Sequence, residues 1–376
     1  MDQPTAPSHL PIDERLIGEL DRLVAQAGGD PASEEGKRVR EILHTALKLI
    51  DDGADLGELK LLSRSFKELR YALKVFRQYR QARKISIFGS ARTPESHPTY
   101  QAALAFSRVM ADAGWMVITG AGDGIMRAGH GGAGREASFG VSIRLPFETN
   151  ANVYIVGDPK LIVFRYFFTR KLMFMWQAHA VALFPGGFGT HDEGFETLTL
   201  VQTGKAPMMP IVMIDRPGGT YWSQWDRYVR NQLLANGMIS PEDLHLYHIT
   251  HSPQEAANHV LGFYRNYHSL RFVHDTLVLR IRRPLQPDQL DQLNHDFASL
   301  LKEGRIQQGN ALKGEREHLD LPRLYFTFTK RNYGRLRLMI DRINQYDAQN
   351  HPDQALRPSE EAPLKLDLAD QTGGAS

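Results

Sequence analysis

An apolar run, Ala180–Phe184, breaks into Pro185-Gly-Gly-Phe-Gly-Thr190 and then into His191-Asp-Glu193-Gly-Phe-Glu196. The run predicts a buried strand and Phe195–Gln202 predicts a helix, so a glycine-rich turn joins a strand end to a helix start. Backbone N–H groups and the positive end of a helix dipole converge at such a turn, which suits a phosphate. Gly186, Gly187 and Gly189 let the backbone approach a ligand that a side chain would hold off. Glu193 follows one turn on. A phosphate cradle beside a carboxylate points to chemistry on a phosphorylated sugar.

Around this turn, short apolar runs alternate with amphipathic stretches. Ile85–Phe88, Met116–Thr119, Val141–Leu145, Ile211–Ile214 and Leu246–Ile249 read as strands, and Tyr100–Ala113, Ile125–Ala137 and Phe164–Gln177 as helices. The alternation predicts an α/β fold, a doubly wound parallel sheet with helices on both faces. Ligands of such sheets bind beyond the carboxyl ends of the strands. Residues 12–80 predict an N-terminal helical segment, with apolar residues at helical spacing such as Leu16, Leu20 and Leu23, or Val39, Ile42 and Ala46. Residues 271–347 predict a small C-terminal α+β module. Its candidate strands are Thr276–Ile281 and Leu324–Thr329, its candidate helices Pro287–Leu301 and Arg335–Tyr346. Residues 1–11 and 348–376, polar and rich in proline, are expected to be disordered.

A length of 376 residues suits two or three domains at about 150 residues each. A hydrophobic content of 42% and a charged content of 23% are those of a globular chain, and a net charge of +2 selects no class of partner. The absence of cysteine excludes disulfides, thiolate nucleophiles and cysteine-held metals. No run approaches the roughly 18 apolar residues of a membrane span, and Met1–Leu20 holds no signal-peptide core. A cytoplasmic protein without membrane contact is expected.

Three further segments accompany the glycine turn: Ile85-Ser-Ile-Phe-Gly-Ser-Ala-Arg92, Ile118-Thr-Gly-Ala-Gly-Asp-Gly-Ile-Met126 and Phe164-Arg-Tyr-Phe-Phe-Thr-Arg-Lys-Leu-Met173. Together with Pro-Gly-Gly-x-Gly-Thr-x-x-Glu, and in this order, they resemble the LONELY GUY (LOG) family of cytokinin riboside 5′-monophosphate phosphoribohydrolases and related nucleotide nucleosidases. The resemblance spans Lys84 to Val273. It implies a Rossmann-like domain over residues 81–270. It also implies hydrolysis of the N-glycosidic bond of a nucleoside 5′-monophosphate, AMP or a cytokinin riboside monophosphate, to free base and ribose 5-phosphate. A homodimer or larger homo-oligomer is implied as well, and the reaction itself needs one or two acids and no cofactor. Residue by residue, it implies Arg170, Glu193 and Glu196 as catalytic. Ser90, Arg92, Gly120, Gly122, Gly124, Met126, Lys171, Gly186, Gly187, Gly189 and Thr190 are implied to bind substrate.

The chemistry explains the need for an acid. Cleaving an N-glycosidic bond builds oxocarbenium character on the ribose, which a carboxylate stabilises while it polarises the attacking water. Each residue also has a plainer reading. Thr190-x-x-Glu193 is a capping-box pattern, and Glu196, three residues on, is a second active-site acid or a solvated helix residue. Arg170 contacts phosphate or orients the acid, or else snorkels at a helix edge. The family has also been labelled lysine decarboxylase, which would make Lys171 a candidate for a pyridoxal phosphate Schiff base; no other feature of such an enzyme accompanies it. Gly120-Ala-Gly-Asp-Gly124 is a tight turn or a nucleotide contact, short of a dinucleotide fingerprint. Ser90 and Arg92 bond the ligand or cap the next helix.

Of fifteen histidines, His245, His248 and His251 are the densest group, but neighbours three apart on a strand face opposite ways, and no metal site is expected. His130 and His191 complete no ligand spacing. The C-terminal module interleaves Arg280, Arg282, Arg283, Arg323, Lys330, Arg331, Arg335 and Arg337 with aromatics. That pattern is a strand with one wet face, a nucleic-acid surface, or a site for an anionic nucleotide effector. Against the enzyme stands a second class of function, a nucleotide-binding or sensing module using the same cradle without turnover.

Overall fold

The computed structural model describes residues 14–144 and 151–353. The expectations for residues 1–11, for Leu145 and for residues 354–376 lie outside the described residues. The chain divides into two compact units, Met1–Glu68 and Leu69–Ser376.

In the first unit, α1 (Glu14–Gln26) packs on α2 (Glu34–Asp51). Ser33 caps α2 by accepting from the Gly36 N–H, and Arg40 donates to Asp21 at 2.7 Å. Leu20 and Val24 are buried, whereas Ile42 and Ile50 of α2 are exposed despite their helical spacing. Helix α3 (Leu56–Arg77) begins in this unit and ends in the second.

The second unit opens with alternating elements: β1 (Lys84–Phe88), α4 (Pro98–Asp112), β2 (Met116–Thr119), α5 (Ile125–Ala133), β3 (Ser138–Ile143), β4 (Leu161–Phe164), α6 (Phe167–Gln177), β5 (Ala180–Leu183), α7 (Phe188–Gln202), β6 (Ile211–Ile214), α8 (Tyr221–Tyr228), β7 (Tyr247–Thr250) and α9 (Pro253–Phe263). The seven strands form one sheet in the order β4-β3-β2-β1-β5-β6-β7, every neighbouring pair parallel. The strands are short and apolar because helices cover both faces. Val181 and Leu183 enter one core layer with Met173 and Phe174, while Ala180 and Ala182 enter the other with Phe106 and Val260. The fold is the Rossmann-like, doubly wound α/β fold expected. The chain runs outward from β1 to β4 and then returns to lay β5 on the other side of β1. The crevice beyond the carboxyl ends of β1 and β5 is therefore the topological switch point of the sheet.

Several boundaries differ from the sequence reading. Leu161–Phe164 is an edge strand paired with β3, so α6 starts at Phe167 rather than Phe164. Four apolar residues are too few for periodicity to separate strand from helix. Helix α5 stops at Ala133 because Gly134 turns the chain at φ +77°. Helix α7 starts seven residues before Phe195, at Phe188, inside the glycine motif itself.

The C-terminal module comprises β8 (Tyr267–Val273), β9 (Thr276–Ile281), α10 (Pro287–Asp296), β10 (Leu301–Gly309), β11 (Arg323–Phe328) and α11 (Tyr333–Asn350), with an antiparallel sheet ordered β10-β11-β9-β8. Strand β10 was not legible: Leu301 reads as a helix end, and Lys302-Glu-Gly-Arg lacks an apolar alternation. Most of the module's basic residues are satisfied by its own acids. Arg280 and Arg323, both buried, share Glu315 at 3.0 Å each. Arg283 grips Asp347 at 2.5 and 2.6 Å, and Arg337 pairs with Asp341. They form an internal scaffold rather than an open anion-binding face.

Candidate active site

A cavity of about 640 Å³ opens at the switch point, within the size range of ligand pockets. Loops after three strands and residues of three helices, α5, α6 and α7, line it. After β1 come Gly89, Ser90 and Arg92, after β2 Gly120 and Gly122, and after β5 Gly187. The loop after β1 is tied to the glycine motif, since the Ser90 N–H donates to the Pro185 carbonyl at 3.1 Å. Met126, Arg170, Thr190 and Glu193 also line the cavity. Of the candidates named from sequence, Gly124, Lys171, Gly186 and Glu196 do not.

The glycine motif is the start of α7. Gly187 is the N-cap, and the Thr190 N–H donates to the Gly187 carbonyl at 3.0 Å. The N–H groups of Gly187, Phe188 and Gly189 find no acceptor among the described residues. They stand at the positive end of the helix, as an anion site requires. The glycines serve different ends. A Cβ at Gly187 or Gly189 would meet no atom within 4 Å, so these two face open space. A Cβ at Gly186 would lie 2.1 Å from Thr190 Oγ1 and 2.9 Å from the Ser90 nitrogen, so Gly186 serves packing, not ligand approach. A Cβ at Gly120 or Gly122 would strike the Met126 side chain at 2.7 Å; these glycines make room for a methionine in the cavity wall. Gly124 adopts φ +60°, and a Cβ there would meet the Ser90 carbonyl at 2.3 Å, so it shapes the entry to α5.

The capping box that was the plainer reading of Thr190 and Glu193 is absent. Because the helix begins at Phe188, Thr190 is its third residue and Glu193 lies a turn inside it. Glu193 is 4% exposed, and its Oε2 has no hydrogen-bond partner. Burial pushes its carboxyl up to about 7, although Lys171 and Arg170 pull the other way.

Arg170 lies over the rings of Phe167 and Phe174, 5.0 and 5.7 Å from their centroids, and reaches the Gly120 side of the cavity. Lys171, next along α6, turns away from the cavity. Its Nζ lies 2.9 Å from Asp192 and 3.7 Å from Glu193, and it donates a short hydrogen bond to Glu196. Burial alone would lower the Lys171 ammonium, but the hydrogen bonds to Glu196 and Asp192 hold it above its ordinary value. Glu196 is thus an ion-pair partner beneath the site and does not line it.

The apolar wall of Phe88, Ile143, Phe167, Phe174 and the outlying Phe188 was not singled out from sequence, because pocket shape has no local signature. Nor was the support of the β2 turn. Asn152 donates to the Ala121 and Gly122 carbonyls at 3.1 and 3.0 Å, and its side chain meets buried His130, which also contacts Thr119 and the Phe139 carbonyl. Asn152 is thirty residues from that turn, with no motif around it.

Residues 123–260 match the family described as possible lysine decarboxylase, which takes in the LOG proteins. Over these residues the chain is similar to the LOG proteins. The match begins after Gly122, so the LOG segments around Ser90 and Gly120 stand ahead of it. No curated protein matches the chain. Among solved structures, the chain is similar to TM1055, a structural-genomics target, at 21% identity over 47% of this chain and 96% of that one, TM-score 0.34. The molybdenum cofactor carrier protein of Chlamydomonas reinhardtii aligns at 18% identity over 47% and 94%, TM-score 0.31. DNA processing protein A of Helicobacter pylori aligns at 12% over 49% and 81%, TM-score 0.30. These likenesses carry nothing about activity. Decarboxylation through pyridoxal phosphate does not fit the LOG domain: a Schiff-base lysine must lose its proton, and Lys171 is held charged by three carboxylates. Among the described residues, no helix is long and apolar enough to cross a membrane.

Proposed function

We propose that the protein hydrolyses the N-glycosidic bond of a nucleoside 5′-monophosphate, releasing free base and ribose 5-phosphate. The observation that carries this reading is the pairing, in one cavity, of three open N–H groups at the start of α7 with a buried carboxyl whose Oε2 accepts no hydrogen bond. Leaving such a group unpaired costs about 1–3 kcal/mol. A module that only bound nucleotide would need the cradle but gain nothing from the acid.

In this reading the phosphate rests on the Gly187–Gly189 turn, and Arg170 supplies the countercharge. The base lies against Phe88, Phe174 and Met126. Ionised Glu193 faces the ribose, stabilises the developing cation and takes a proton from water as the water oxygen bonds to the anomeric carbon. The C–N electron pair leaves with the base, which picks up the proton at its ring nitrogen. Glu196 acts through Lys171, holding the charge balance beneath Glu193. Turnover of AMP and adenosine at equal concentration tests the reading, which requires AMP to be strongly preferred.

Assembly belongs to the same proposal. Phe167, Phe168 and Leu172 leave apolar surface exposed on α6, at 54%, 54% and 44%. A second copy of the chain covering this face would form a two-fold dimer beside the site. Light scattering at micromolar concentration should give at least twice the chain mass, and a monomer mass refutes it.

A further inference from the structure

We infer that Tyr221 and His191 are positioning residues for the phosphate turn: together they fix the Gly186–Gly187 peptide so that its N–H faces the cavity. The inference rests on the functional reading above and adds two residues to it.

The Tyr221 hydroxyl lies 2.5 Å from the Gly186 carbonyl oxygen and 2.6 Å from His191 Nε2. A phenol carries one proton, and a carbonyl can only accept, so that proton is committed to Gly186. His191 must therefore donate from Nε2, which sets its tautomer and locks the hydroxyl rotor. Chained bonds of this kind strengthen one another. In a trans peptide the carbonyl and the following N–H point in opposite directions, and no peptide among the described residues is cis. Holding the Gly186 carbonyl toward Tyr221 thus turns the Gly187 N–H the other way, and Gly187 lines the cavity.

The holder is itself anchored. The Tyr221 N–H donates to Asp215 Oδ2 at 2.8 Å, and Asp215 is buried at the end of β6. A Cβ at Gly219 would lie 2.2 Å from Asp215 Oδ1, so the loop closes tightly over that carboxylate. The Trp222 ring meets the Tyr221 ring edge-on at 4.8 Å and the His191 ring at 5.9 Å. The loop linking β6 to α8 therefore anchors, through Asp215, the tyrosine that holds a carbonyl 35 residues before it. Preorganised donors of this kind are more effective than ones that must reorient on binding.

Tyr221→Phe keeps the ring and its packing and removes only the hydroxyl. Titrations with AMP and with adenosine on the full chain give the affinity gained from the phosphate. In Tyr221→Phe that gain should fall about tenfold, as expected for one misaligned N–H to a charged acceptor. Adenosine affinity and the thermal midpoint should stay close to those of the unmutated protein, and KM for AMP should rise far more than kcat falls. His191→Phe should lower the same gain by less, and should add nothing in the Tyr221→Phe background, because it acts through the hydroxyl. An unchanged phosphate gain in Tyr221→Phe overturns the inference while leaving the functional reading in place. So does an equal loss of AMP and adenosine affinity, which would mark general damage. If the unmutated protein binds AMP no better than adenosine, the functional reading and this inference fall together.

Discussion

Lys171 Nζ stands 3.7 Å from Glu193 Oε2, close enough for attraction but without a hydrogen bond. The cation therefore lowers the energy of the ionised acid without hydrogen-bonding its oxygen, which stays buried in the cavity wall. Asp192 and Glu196 take the ammonium's hydrogen bonds instead.

Removing that cation should move the pH profile. Burial raises Glu193 to about 7, and Lys171 holds it down from a higher value still. If the ionised form is the working one, kcat/KM rises with pH through an acid limb near pH 7. Lys171→Met takes away the attraction, so the limb moves to higher pH. Activity at pH 6.5 should drop about tenfold relative to the unmutated protein and recover in part at pH 9. A pH–rate profile checks this; a limb left in place would show that Lys171 does not act on Glu193.

Glu193→Gln should abolish turnover and stabilise the fold at high pH. The folded carboxyl holds its proton to about pH 7, whereas an unfolded chain releases it near the ordinary 4.5. Between those values the folded state binds more protons, so stability falls as pH rises and stays low above pH 7. Glutamine removes that loss, which at about 1.4 kcal/mol per pH interval amounts to about 3 kcal/mol. Melting curves should show the variant more stable than the unmutated protein at pH 8 and little different at pH 4.5. Equal midpoints at both pH values would mean that Glu193 is solvated.

The parallel sheet and the placing of the glycine motif at a strand's carboxyl end were legible in the sequence, because buried parallel strands are short apolar runs and glycine turns interrupt them. The same rule hid β4, which has no turn signal before Phe167. It also misplaced the start of α7: Phe188-Gly-Thr looks like turn, yet Gly187 already caps the helix. That one boundary decides whether Glu193 is a cap or a buried acid. The partners of Lys171, the roles of Gly186 and Gly120, and the Tyr221–Gly186 bond were out of reach, because each is a contact between elements whose spacing the sequence does not encode.

The two kinds of glycine make a paired test. Gly186→Ala forces a Cβ against Thr190 Oγ1 and the Ser90 nitrogen, both fixed, and should cost about 1–3 kcal/mol of stability. Gly189→Ala faces open space and should melt within about 0.5 kcal/mol of the unmutated protein. It should nonetheless weaken AMP binding at least tenfold by placing a methyl group where the phosphate lies. Melting curves and AMP titrations on both variants separate these effects. Gly189→Ala binding AMP normally would move the phosphate away from this turn.

The most direct measurement is the identity of the products. The full chain is incubated with AMP, and the mixture is resolved by chromatography, with Glu193→Gln alongside. The account requires adenine and ribose 5-phosphate in equal amounts from the unmutated protein and neither from the variant. Adenosine with inorganic phosphate, or equal product from both proteins, would contradict it.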